Sequence, residues 1–235
     1  MIRTVAETGS TNADLIALAA AAQGIEEGLW LRAERQTGGR GRQGRVWQSP
    51  PGNFYGSTAV RLRPADPPAA TLALVVAVAL HEALAVHAPA APLSIKWPND
   101  VLLAGAKLAG ILLERTADTV VVGIGANLAH HPADLDRPVT SLAAHSPAPD
   151  PADFVLTLAE SFARWLSRWR GERLGVVRER WLARAHPIGT ALSAQLPDGT
   201  RADGLFQGLD GDGALILRLA DGSQRAIHAG DIFLI

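Results

Sequence analysis

The sequence predicts an α/β (α+β) fold in two parts: strands and helices over residues 1–186, then a small all-β unit over 187–235. Up to about residue 186, apolar runs of strand length alternate with longer stretches of helical periodicity. Near His186-Pro187 the pattern shifts to short runs broken by Pro197-Asp198-Gly199, Asp210-Gly211-Asp212-Gly213 and Asp221-Gly222. Asp-Gly between apolar-rich runs is the strongest short-range hairpin signal. With 235 residues, 48% hydrophobic and 19% charged, the chain has core enough for one domain or two.

Taken in order, Arg3–Glu7 reads as a short strand and Ser10–Asn12 as the entry to a helix reaching about Ala22. Thr11 and Asp14 match a capping box there, and three consecutive hydrogen-bonding side chains at a helix start also suit a polar ligand group. Glu27–Ala33 and Phe54–Arg61 read as strands, the second rich in aromatic and β-branched residues. The helix from about Pro68 to His87 is apolar on all sides and should be buried. His81 and His87 read as helix-end or surface residues. Leu93–Trp97 and Val101–Leu103 are strands joined through Pro98-Asn99-Asp100. Lys107–Glu114 returns as an apolar strand with Gly110 inside it, and glycine inside a strand often marks a close approach of ligand or backbone. Thr119–Ile124 is another buried strand, running into Gly125-Ala126-Asn127-Leu128. In Asp153–Trp169, Phe154, Leu158, Phe162, Trp165 and Trp169 recur at helical spacing, the mark of a core-facing helix. No internal repeat is present.

Gln36–Pro50 is the chemically loaded stretch. Arg40, Arg42 and Arg45 alternate with Gly38, Gly39, Gly41 and Gly44 and end in Trp47. Glycine lets main-chain N–H groups approach a ligand, and arginine forks fit carboxylate and phosphate oxygens, so this loop can grip an anion. So many glycines and like charges also predict a segment that is mobile when empty and tightens on a ligand. Gly39, Gly41 and Gly44 satisfy G-x-G-x-x-G, but the proline-rich run from Trp47 to Asn53 cannot open the helix that a dinucleotide fold requires. The catalytic-loop and Asp-Phe-Gly signatures of a kinase are missing as well.

Composition narrows the functional classes. The net charge is −1, so no global basic field advertises nucleic acid. There is no cysteine, which excludes disulfides, thiolate metal sites and Cys nucleophiles and fits a reducing, cytoplasmic setting. The N-terminus lacks a signal pattern. The apolar run Ala69–Leu80 is closed by His81 and Glu82 short of a membrane span, so no membrane association is expected.

Together, GSTN at 9–12, QTGGRGRQGRVWQSPPGN at 36–53, KWPND at 96–100, KLAGILLE at 107–114 and GIGANL at 123–128 resemble the biotin protein ligases, in that family's order. The likeness runs the length of the chain, since that family also ends in a small SH3-like β domain. It implies a mixed-sheet catalytic domain of the biotin/lipoate ligase type over 1–186 and an SH3-like β-barrel over 187–235. It further implies a two-step reaction: ATP and biotin give biotinyl-5′-adenylate with Mg²⁺, and a lysine of a biotin carboxyl carrier domain then takes the biotinyl group. Carried over residue by residue, Ser10, Thr11, Asn12 and Gln36 would hold biotin, and Arg40, Gly41 and Arg42 its carboxylate side. Lys107 would hold the reacting oxygens, with Arg42 as its catalytic companion, and Gly110 would admit the bicyclic ring. Arg42, Arg45, Trp47 and Asn127 would serve the nucleotide. Asp100 either orients Lys107 or arginine residues, or caps the turn after Pro98. The motifs begin at residue 9, which leaves no room for the DNA-binding segment of some relatives, so a ligase without specific DNA binding is expected. The same fold also serves lipoate or octanoyl transfer, and a non-enzymatic binding module is the reading of another class. Monomer or homodimer stays open.

Overall fold

The computed structural model describes residues 1–21, 24–133, 135 and 137–235. β1 (Ile2–Thr8) and β2 (Trp30–Gln36) lie parallel, joined over α1 (Thr11–Ala20). β3 (Phe54–Arg61) then pairs antiparallel with β2. After α2 (Leu72–His87) come β4 (Leu93–Lys96), β5 (Asp100–Leu103), β6 (Ala106–Thr116) and β7 (Thr119–Ala126). They complete a mixed seven-stranded sheet in the order β1-β2-β3-β7-β6-β5-β4. Two helices, α3 (Pro151–Glu172) and α4 (Leu174–Leu182), precede the C-terminal strands.

The two faces of the sheet are partitioned by strand periodicity, since successive side chains point opposite ways. Val121 packs with Leu15 of α1 and Leu31 of β2 on one face. Val120 and Val122 join α2, α3 and α4 in the main core on the other. Within that core Trp30 meets Phe162 edge-on at 5.7 Å, and Phe54 meets Phe154 at 5.2 Å, arrangements that aromatic quadrupoles favour.

The sequence expectation that His81 and Glu82 end the apolar run is corrected. Ala69–His87 forms 19 helical residues, long and apolar enough to cross a membrane by length and composition, yet mostly buried inside this fold. His81 lies in the interior at 5% exposure rather than at the surface. Glu82 is held by Arg164, Arg180 and the Trp165 Nε1–H, each at 2.8–3.1 Å. Burial pushes the Glu82 carboxyl up, but the Trp165, Arg164 and Arg180 hydrogen bonds more than offset this and leave its pKa lowered. A carboxylate so paired can sit within a core helix, and it ties α2 to α3 and α4.

Other boundaries move for local reasons. The α1 cap is Ser10 rather than Thr11, and Asp14 accepts from the Thr8 hydroxyl at 2.6 Å. Pro151 opens α3 behind an Asp150 cap, a position that suits proline's fixed φ and missing N–H. The helix α4 was not anticipated, although Leu174, Val177 and Trp181 recur on its buried side.

The final strands are β8 (Ala191–Gln195), β9 (Arg201–Leu209), β10 (Leu215–Arg218), β11 (Gln224–Ile227) and β12 (Asp231–Leu234). They form a five-stranded antiparallel sheet in the order β11-β10-β9-β8-β12, with turns at the expected Asp-Gly positions. Its apolar residues, Leu192, Phe206, Leu215, Leu217 and Ile232 among them, are continuous with the main core. The Trp97 Nε1–H donates to the Gly213 carbonyl at 3.2 Å, and Ile95 pairs with Ala185. The second sheet therefore rests directly on the KWPND corner.

Candidate active site

On the α1 face, strand pairing lines up residues without side chains. Gly110 of β6 stands opposite Gly125 of β7, with Gly123 two residues along. Alternation puts all of them on one face together with Ser57 of β3 and Glu114 of β6. Leu112 and Tyr55 share this face, and the glycines give room for the side chains of Asn12 and Trp47 to lie directly on the strands. A Cβ on Gly123 would stand 2.2 Å from Asn12 Oδ1, and one on Gly125 would stand 2.5 Å from Trp47 Cε2.

A polar network closes one end of this face. Asn12 donates to Glu114 at 2.7 Å and accepts from the Ser57 hydroxyl at 2.6 Å. The Thr11 hydroxyl lies 2.7 Å from Ser57 and 3.1 Å from Gln36 Oε1, which also accepts the Thr11 N–H at 2.8 Å. Gln36 in turn donates to Ser49 at 3.3 Å, and Ser49 donates to the Trp47 carbonyl at 3.0 Å. Thr11 and Asn12 from one stretch and Gln36 from another are thus one hydrogen-bonded group. Ser10 stands beside them as the helix cap.

Charge collects at the other end. Lys107 and Asp100 form an ion pair at 2.5 Å, with side chains 11% and 13% exposed. The contact is a charge pairing rather than an aligned hydrogen bond, since Asp100 Oδ1 has no directed donor among the described residues. Burial pulls the Lys107 pKa down, and Asp100 opposes that. Lys96 is lowered for the same first reason, again with Asp100 opposing, and its ammonium lies 5.5 Å from the Phe233 ring centroid. Of the two roles open for Asp100, the geometry favours the partner of Lys107.

The arginine stretch is a small hairpin. The Gly41 N–H donates to the Arg45 carbonyl at 2.7 Å, the Trp47 N–H donates to Gly39 at 3.0 Å, and Arg40 pairs with Val46. Gln43 and Gly44 form its tip at φ 57° and 72°, the left-handed region where glycine carries no steric penalty. Arg42 Nη1 reaches Asn99 Oδ1 at 3.4 Å, the Gly230 carbonyl at 3.2 Å and Asp231 Oδ1 at 3.2 Å. Arg45 joins Gln43 and the other oxygen of Asp231. The Trp47 indole lies against Gly110 and Gly125, and Lys107 Nζ is 5.5 Å from its ring centroid.

Two predicted residues stand apart. Arg40 is exposed on the outer strand of the hairpin, and Asn127 turns its amide inward to the Thr140 carbonyl at 3.1 Å. The residues that sequence reasoning passed over are Ser57, Glu114, Lys96, Asn99, Gly123, Gly125 and Asp231. Lys96, Asn99, Glu114 and the two glycines lay within the quoted motifs without being singled out, while Ser57 and Asp231 carried no local signal. Among the described residues no group of three His, Cys, Asp or Glu side chains is placed to hold a metal. Five cations (Lys96, Lys107, Arg42, Arg45 and Arg137) gather around two carboxylates (Asp100, Asp231), a surplus that suits an anionic ligand.

Residues 10–127 match the Biotin/lipoate A/B protein ligase family, and residues 191–235 match the Biotin protein ligase C terminal domain. The chain is 42% identical to the biotin–[acetyl-CoA-carboxylase] ligase of Paracoccus denitrificans, over 97% of this chain and 98% of that one. It is 36% identical to the enzyme of the same name from Mycobacterium tuberculosis, over 97% and 86%. Among solved structures, a biotin protein ligase from Aquifex aeolicus in complex with biotin and ATP superposes with a TM-score of 0.87 at 25% identity, covering 100% of this chain and 98% of that one. A glycine-bearing sheet face with a polar end and a cationic end therefore sits within a matched sequence and a matched fold, and the chain belongs to the biotin/lipoate A/B protein ligase family.

Proposed function

We infer that the chain is an ATP-dependent biotin protein ligase that makes biotinyl-5′-adenylate and transfers the biotinyl group to a lysine of a biotin carboxyl carrier domain. The observation that carries this is the meeting of a polar network and a paired ammonium at two ends of one glycine-bearing sheet face. A ureido ring offers two donors and an acceptor, which suits the Asn12, Thr11, Ser57 and Gln36 end. The bicyclic body suits the glycine positions Gly110 and Gly125, where the Trp47 indole that lies on them gives way to it, and the valerate carboxylate suits the end at Lys107. A dithiolane or an alkyl chain would leave that polar end without partners, and sites built to hydrogen-bond a substrate reject analogues that cannot.

In the first step a carboxylate oxygen attacks the α-phosphorus, a new P–O bond forms and pyrophosphate leaves. Both reactants are anions, so Lys107 and Arg42 stabilise charge as it grows. Mg²⁺ enters this reading as part of the ATP substrate complex, in keeping with its habit of binding through substrate phosphates and few carboxylates. Arg45 and Trp47 form the nucleotide side; Asn127 backs it from within, its amide held by the Thr140 carbonyl, and Gly41 closes the hairpin with Arg40 on its exposed side. In the second step the carrier amine attacks the acyl carbon, AMP leaves, and the amine loses a proton. We divide the chain into a ligand-binding part, 1–186, and a C-terminal part, 187–235.

Labelled pyrophosphate should exchange into ATP only with biotin present. Equal exchange driven by lipoate or octanoate would move the substrate to the other branch of the family.

A further inference from the structure

We propose that Asp231, on the last strand of the C-terminal sheet, is a positioning residue for adenylation that braces Arg42 and Arg45 at the mouth of the site so that ATP meets them already aimed. This rests on the ligase reading above and adds to it a component from the far end of the chain.

The geometry is that of a bridge. One carboxylate takes Arg42 on Oδ1 at 3.2 Å and Arg45 on Oδ2. Arg42 is also held by the adjacent Gly230 carbonyl at 3.2 Å and by Asn99 Oδ1 at 3.4 Å, all through the single atom Nη1. Arg45 uses Nη2 alone, for Gln43 and Asp231. Among the described residues, neither guanidinium engages the brace with its remaining nitrogens, so each keeps a side from which to meet a phosphate oxygen. Two like-charged forks side by side would otherwise repel, and the shared carboxylate removes that repulsion.

Asp231 is suited to the task. Its side chain is 22% exposed. Burial raises its pKa, but the Arg45 hydrogen bond and the charges of Arg45, Arg42 and Lys107 more than offset this and leave it lowered. The carboxylate therefore stays ionised throughout the neutral range. Its backbone is fixed by pairing with Gln195 of β8, and Gly230 before it runs at φ 149° so close to the Gln195 carbonyl that a Cβ would stand 2.5 Å away. A rigid strand end thus carries the acid, while the glycine-rich hairpin carries the bases. Rigid supports of this kind lower the ordering cost of binding.

The test is Asp231→Asn with Asp231→Glu beside it, assayed by biotin-dependent pyrophosphate exchange. The expected result for Asp231→Asn is a KM for ATP raised about tenfold, with the KM for biotin within about twofold of wild type and an unchanged melting temperature. Trypsin should cut faster after Arg42 and Arg45 in the empty Asp231→Asn protein, and Asp231→Glu should recover most of both effects. An unchanged KM for ATP together with unchanged cleavage would overturn the proposal. So would equal losses toward ATP and biotin with a lower melting temperature and no recovery by glutamate, the pattern of a merely structural residue. Wild type that shows no biotin-dependent exchange would instead overturn the ligase reading, so the two failures are distinct.

Discussion

Lys107 Nζ stands 2.5 Å from Asp100 Oδ1 across the β5–β6 hairpin, placing a paired ammonium beside Gly110, where Lys107 Cε and Nζ would each lie 3.2 Å from an added Cβ. The ladder of β6 fixes the lysine backbone, which hydrogen-bonds to Pro138 and Thr140 at 2.9 and 3.0 Å. A cation so fixed acts mainly as charge develops. Lys107→Ala should lower single-turnover adenylation by about 10²–10³-fold, the usual scale for one lost transition-state donor, and leave biotin affinity nearly unchanged. A near-wild-type rate in rapid-quench measurements would demote Lys107 to packing.

The same pair sets a pH dependence. Burial lowers the Lys107 pKa from the ordinary 10.5, with Asp100 opposing. The charged amine is needed, so activity is complete below the folded-state pKa and falls as pH rises through it, on an alkaline limb below 10.5. Asp100→Asn removes the opposing charge and should move that limb further toward neutrality. Superimposable pH–rate profiles for the two proteins would count against the pairing.

The glycine positions are tested by adding methyl groups. Gly125→Ala puts a carbon against the Trp47 indole, at the base of the hairpin, where a side chain can give way. Gly123→Ala puts one on Asn12, which Glu114 and Ser57 hold at 2.7 and 2.6 Å. Overpacking of this kind costs roughly 1–3 kcal/mol. Gly123→Ala should therefore lose both stability and biotin affinity, and Gly125→Ala mainly affinity, by about tenfold or more. Calorimetric titration with biotin and a melting curve separate the two, and unchanged affinity in both variants would remove these glycines from the site.

Much of the site was legible in the sequence because its chemistry is local. The anion-gripping stretch and the polar cluster at α1 stood out by residue type within a few positions, while the role of Lys107 entered only through the family resemblance. What stayed hidden depended on distant pairing. Asn12 meets Glu114 across 102 positions and Arg42 meets Asp231 across 189, and no spacing rule links such residues. The capping box at Thr11 failed for a related reason. The Thr11 hydroxyl was more useful to Gln36 and Ser57 than to its own helix, so Ser10 took the cap. The helix α4 was missed because Arg173, at φ 68°, breaks the chain direction after α3 and restarts the helical phase.

The unbroken apolar interior beneath both sheets has a consequence for engineering. Residues 187–235 cannot be traded between relatives as a cassette. A chimaera would meet foreign side chains along a seam where Leu192, Phe206, Leu215 and Ile232 share one core with α2 and β4, and close-packed interiors tolerate little mismatch. The same transplant would also carry away the acid beneath Arg42 and Arg45. Compatible exchange therefore requires moving β4, the KWPND corner and the last strand together, as one inherited unit.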